Sequence, residues 1–135
     1  MSTNMTEIAY FFPIYGDEVL PIAPVKALKR GKFNQNIDLM YGVVQNEGTS
    51  FAVQIFPKLK PNNVSLTMES TRKDIKYMMD DVYQLSNGNK VAKYYTKDLV
   101  SPTSDDLRNA ISNAWGDMYI VCPTIRFAEH MARHQ

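Results

Sequence analysis

At 135 residues, with 44% hydrophobic and 21% charged residues, the chain has the length and composition of one globular domain. Fifteen basic residues against 14 acidic ones leave a net charge of +1, and their scatter along the chain gives no field that would recruit nucleic acid or an anionic membrane. No stretch approaches the roughly 18 apolar residues of a membrane span, and the opening MSTNMTEIAYFFPIYG lacks the basic start and apolar core of about 7–15 residues that mark a signal peptide.

Residues 9–14 form an aromatic-rich stretch of extended character, closed by Tyr15-Gly16-Asp17-Glu18 and followed by Pro21 and Pro24. Pro24 sits near the start of a short helix over residues 25–30, with basic residues in its last turn and Gly31 just beyond. Residues 37–44 (IDLMYGVV) are almost continuously apolar or β-favouring, without the alternation of a half-exposed strand. They predict a strand covered on both faces, as in a parallel sheet flanked by helices. Residues 48–56 predict a short helix ended by Pro57 and a polar run to Asn63.

Thr71 is the expected cap of a helix to about Leu85, with Ile75, Met78, Met79, Val82 and Leu85 on one buried face. A turn at Asn87-Gly88-Asn89 leads into a short helical or extended piece over residues 91–95. Ser104 is the expected cap of a longer helix, with Asp105 and Asp106 in its first turn and Leu107, Ile111, Ala114 and Trp115 along one side. Pro123 breaks or restarts that helix, and Phe127, Ala128 and Met131 continue an amphipathic stripe. The expected class is therefore α/β, with one or two strands amid several helices. So few strands do not make an independent parallel sheet, since a central strand needs a neighbour on each edge, and the chain reads as part of something larger.

Several residues could carry chemistry. Gly48-Thr49-Ser50-Phe51-Ala52 approximates the Gly-x-Ser-x-Gly nucleophile elbow, but Ala replaces the last glycine and the predicted strand ends too early for so tight a turn. Ser50 thus reads as a polar residue on a first helical turn. His130 and His134 share a helical face, yet no third ligand accompanies them and no metal site is expected. Asp80-Asp81 and Asp105-Asp106 read as a polar face and a helix start. Cys122, the single cysteine, has no internal disulfide partner and taken alone reads as a small buried apolar residue. Two sequons, at Asn4 and Asn63, are candidate glycosylation sites and point to a secreted origin, where an unpaired cysteine would signal a missing partner. Glu47, directly after the predicted strand and before a glycine, reads either as a solvated turn or as a functional carboxylate at the carboxyl end of a strand.

The blocks Phe11-Phe12-Pro13, residues 16–21 (GDEVLP), residues 31–34 (GKFN), residues 39–43 (LMYGV), Asn46-Glu47-Gly48-Thr49-Ser50-Phe51 and residues 115–128 (WGDMYIVCPTIRFA) resemble, in order, the type-B carboxylesterases, the group that includes the cholinesterases. That resemblance implies a partial α/β-hydrolase fold, with residues 1–135 a fragment of a single catalytic domain. It places the acid of a Ser-Glu-His triad at Glu47 and a role near the substrate gorge at Phe51. It pairs Cys122 with a cysteine much nearer the C-terminus, outside these residues. Phe11 and Phe12 fall beside the acyl-pocket segment and are equally readable as core. In the family's order of serine, acid, histidine, the nucleophile precedes residue 1 and the histidine follows residue 135. The expectation is therefore a contribution to a serine carboxylic ester hydrolase acting on a small-molecule ester, with no cofactor, in the secretory pathway, and a chain inactive alone. A non-catalytic adhesion or binding protein on the same scaffold is the alternative, and an unrelated helical binding module a third.

Overall fold

The computed structural model describes residues 13–60, 65–82 and 84–134, and all regular structure among them is helical. The chain divides into two units: Val43–Cys122, and a second that contains residues 13–42 and 123–134. Phe11, Phe12, Asn4 and Asn63 lie outside the described residues.

In the Val43–Cys122 unit, four helices enclose the core: α2 (Thr49–Ile55), α3 (Met68–Tyr77), α4 (Gly88–Thr96) and α5 (Ser104–Gly116). Two capping boxes set the starts of α3 and α5. The Thr67 hydroxyl accepts the Ser70 N–H and the Ser70 hydroxyl accepts the Thr67 N–H, both at 3.1 Å. Thr103 and Asp106 repeat the arrangement, at 3.2 and 2.8 Å. Each box satisfies two amides that the first helical turn leaves without partners. The caps are thus Thr67 and Thr103, where Thr71 and Ser104 were expected. Thr71 is instead buried inside α3, and Ser104 accepts the Leu66 N–H at 3.3 Å.

The stripe expected on α5 is the core of the unit. Leu107, Ala110, Ile111, Ala114 and Trp115 are all buried, with Ile75 and Met78 from the α3 side, Ala92 from α4 and Ala52 from α2. The expected helix to Leu85 ends sooner. Tyr77 closes α3, and a wider π-helical segment, Met78–Val82, follows. A π segment changes the angular spacing of side chains; Met78 and Met79 stay buried, while Leu85 lies beyond it and is exposed. Lys58, next to the 3₁₀ turn start Pro57, grips Asp74 of α3 at 2.7 and 2.9 Å.

The second unit holds α1 (Pro24–Lys29) and the described part of α6 (Cys122–His134) beyond Cys122. As expected, Pro24 opens α1 and Gly31 follows it. Gly31 adopts φ +62°, its N–H bonds the Leu28 carbonyl at 3.1 Å, and the Lys32 N–H bonds the Ala27 carbonyl at 2.9 Å. This is a Schellman stop, which favours glycine because only it enters the left-handed region without cost. Phe33 meets His134 edge-on at 5.9 Å and Tyr41 meets Phe127 at 5.5 Å.

The predicted strand does not form. Residues 37–44 carry no regular structure, and Leu39, Met40, Val43 and Val44 are 43%, 98%, 43% and 67% exposed. A buried parallel strand exists only where neighbours take up its N–H and C=O groups and layers cover both faces. No other strand lies among the described residues to do so.

Ile111→Ala, which empties a fully buried site, is expected to cost about 2–5 kcal/mol in urea unfolding followed by circular dichroism, whereas Met40→Ser should change stability by no more than about 0.5 kcal/mol. Burial lifts the Asp74 carboxyl above its ordinary value of 3.8, against the pull of Lys58. A raised carboxyl binds its proton more tightly when folded, so its contribution to stability falls as pH rises from 3.8 through the folded value. Lys58→Ala should therefore cost about 1–2 kcal/mol at pH 7, a discounted figure because Lys58 is 38% exposed. At pH 3 the cost should largely vanish, as thermal melts at the two pH values would show.

Candidate functional site: the Glu47 turn

Glu47 lies in the turn that delivers the chain into α2. Asn46 and Thr49 close it through a 3.2 Å backbone hydrogen bond, and Gly48, the N-cap of α2, is buried. The Glu47 side chain is half-buried, and its Oε1 accepts the Val44 N–H at 2.9 Å. A carboxylate that bends back to its own backbone in this way holds a defined direction, and its two oxygens retain acceptor capacity beyond the single bond. The Glu47 turn is therefore an oriented acceptor built on the end of a helix.

The turn rests on α5. Gly48 and Gly116 approach so closely that a Cβ on Gly116 would lie 2.9 Å from Gly48 N and 3.6 Å from Glu47 Cβ. A Cβ on Gly48 would collide with the Ser112 carbonyl oxygen and the Gly116 amide nitrogen. One turn further along α2, Phe51 packs on Tyr119 of the π-helical segment Asp117–Val121, at 4.7 Å between ring centroids and 47° between planes. The structure thus gathers Glu47, Phe51, Gly116 and Tyr119 about the start of α2. Gly116 and Tyr119 were not singled out by the sequence reading. The signal for Gly116 was an isolated glycine inside a helical pattern; for Tyr119 there was none beyond its place in the 115–128 block.

The other candidates have surroundings of their own. Ser50 is exposed on the first turn of α2. Asp80 accepts from Lys76 Nζ at 2.6 Å and from the Gly88 N–H at 2.8 Å, and these bonds hold its carboxyl below the usual range. Asp106 is held low in the same way by the Thr103 hydroxyl and N–H. Both histidines sit on α6, and no cluster of three metal-binding side chains occurs among the described residues. Cys122 is exposed, unlike the buried apolar residue its context alone suggested.

A groove of about 450 Å³ runs past Met79, Tyr94, Tyr95, Asp117, Met118 and Cys122, without Glu47. At one side of it the Tyr95 hydroxyl donates to Asp117 Oδ2 at 2.6 Å. Burial, and then that bond to a carboxylate, push the Tyr95 phenol up, so it stays protonated and donates its proton to Asp117.

A sequence model of the Carboxylesterase family matches residues 1–135. Over 123 residues the chain is 27% identical to Acetylcholinesterase-1 of Trittame loki, covering 88% of this chain and 21% of that protein. It is 28% identical over 125 residues to the acetylcholinesterase of Electrophorus electricus, covering 92% and 19%. It is 27% identical over 124 residues to the cholinesterase of Mus musculus, covering 90% and 20%. The chain thus spans about a fifth of the length of the curated relatives it matches. No solved structure matches it significantly.

A double-mutant cycle of Phe51→Leu and Tyr119→Leu, read by urea unfolding, should show a coupling of about 0.5–1.5 kcal/mol, the range for aromatic pairs in contact. Additivity of the two changes would mean that the rings do not hold the turn and the π segment together.

Proposed function

The chain belongs to the carboxylesterase family, and from that premise we propose that it supplies Glu47 as the acid of a Ser-Glu-His triad in a serine carboxylic ester hydrolase whose substrates are small-molecule esters. Membership implies the α/β-hydrolase fold, in which the triad residues follow one another in the order serine, acid, histidine. The observation that carries the reading is the oriented, half-buried Glu47 carboxylate at the entry to α2. In that role it accepts the Nδ1 proton of the catalytic histidine, fixes the tautomer and stabilises the imidazolium that forms as the serine is deprotonated. The glutamate makes no bond to the ester.

In the same reading Phe51 stands beside the substrate path, and Cys122, whose thiol is exposed, bonds to a cysteine outside these residues. Asn4 and Asn63 carry glycans, consistent with synthesis through the secretory pathway. Residues 1–135 alone do not catalyse ester hydrolysis. They contain no complete Gly-x-Ser-x-Gly, and His130, in the helix after Cys122-Pro123, is not where the resemblance puts the general base.

In the whole protein that carries this segment, Glu47→Gln should lower kcat for a simple aryl or acetyl ester by roughly 10⁴-fold with little change in KM, since the histidine loses its orienting charge while ester binding is untouched. The 135-residue chain should give only background hydrolysis. An unchanged kcat in the variant, or turnover by the short chain that Glu47→Gln abolishes, would contradict the assignment.

A further inference from the structure

Gly116 ends α5 and the chain continues without a break in helical geometry into Asp117–Val121, with Gly116 at φ −59° and ψ −48°. No left-handed backbone calls for glycine here. In a helix glycine is the poorer choice, because it gives up more backbone freedom than alanine and contributes no side chain. Gly48 is similar, at φ −82° and ψ −10°. What the two positions share is each other: each is the point at which the other backbone passes. A Cβ on Gly116 would meet Gly48 N at 2.9 Å and Gly48 Cα at 3.4 Å. These are backbone atoms, so the clash is relieved only by moving the turn, and the turn carries Glu47.

We propose that Gly116 is a positioning residue for Glu47. Its bare backbone admits the Glu47–Gly48 turn to the depth at which the Glu47 carboxylate reaches the Val44 N–H, and a side chain at position 116 lifts the carboxylate away from that amide. The catalytic meaning rests on the triad-acid reading; the geometric claim stands without it. A catalytic acid must hold its direction within about 0.5 Å to keep a histidine in productive alignment, so a residue that sets the depth of the turn sets the usefulness of the acid.

The test uses the ¹⁵N-labelled 135-residue chain. Glu47→Gln replaces the charged acceptor of the Val44 N–H with a neutral one, and should shift the Val44 amide resonance. In the Gly116→Ala background most of that response should be lost, while far-UV circular dichroism keeps its helical signature. Melting should also fall in Gly116→Ala, against the direction that helix preference alone dictates. A Val44 response to Glu47→Gln that persists in the Gly116→Ala background, or a melting temperature that rises, would overturn the inference. If Gly116→Ala does not fold, the unsubstituted chain decides: nuclear Overhauser contacts from the Gly116 Hα to Glu47 Hβ and Gly48 are expected, and their absence overturns the crossing. A Glu47→Gln whole protein with unchanged kcat would remove the triad-acid reading and leave these signals intact.

Discussion

Gly48 and Gly116 meet backbone to backbone, and the candidate site depends on that crossing. Helices normally keep their axes about 8–10 Å apart because side chains stand between them. Here neither chain has a side chain at the contact, and a Cβ on either residue would strike main-chain atoms of the other. The crossing joins the two halves of the Val43–Cys122 unit that matter for chemistry. On one side lies α5, whose Ile111, Ala114 and Trp115 are buried in the core. On the other is the turn holding Glu47. Rigidity therefore passes from the best-packed helix to the one carboxylate with a functional reading, through two residues with no side chains.

Residues 37–44 show the opposite condition. Their composition suits a strand buried on both faces, and their exposure reflects the want of anything to pair with or lie beneath among the described residues. An α/β-hydrolase sheet is a collective object: each central strand is stabilised by its neighbours, and its side chains by the helices above and below. The helices of the Val43–Cys122 unit differ in this respect, because their backbone bonds are internal and a single amphipathic face suffices to dock them. Helices are thus present among the described residues of a chain a fifth as long as its relatives, while no strand is.

The same contrast separates what was legible in the sequence from what was not. The α5 stripe was readable because helical periodicity is local, and its four expected residues, Leu107, Ile111, Ala114 and Trp115, are all buried. The stop after α1 was readable because Gly31 marks a left-handed position. The caps of α3 and α5 were misplaced by one to four residues, since threonines and serines cluster at both starts and only the reciprocal bonds of Thr67–Ser70 and Thr103–Asp106 decide between them. The π segments, of which one ends the Ile75–Leu85 stripe early and the other carries Tyr119 against Phe51, have no local signature in residue type. The strand over residues 37–44 failed for a non-local reason. Glu47 was singled out through the Asn46-Glu47-Gly48 block and its family resemblance, and the approach of Gly116, 69 positions away in the chain, to its turn is a fact of packing that pattern alone does not carry.

The central claim is that Glu47 orients a catalytic histidine. The most direct measurement is a structure of the whole protein containing this segment, read for the distance from the Glu47 carboxylate to Nδ1 of the histidine beside the nucleophilic serine. A separation of about 2.6–3.2 Å, the range of a working hydrogen bond, is the predicted result. A different carboxylate on that Nδ1, with Glu47 turned to solvent, would contradict it.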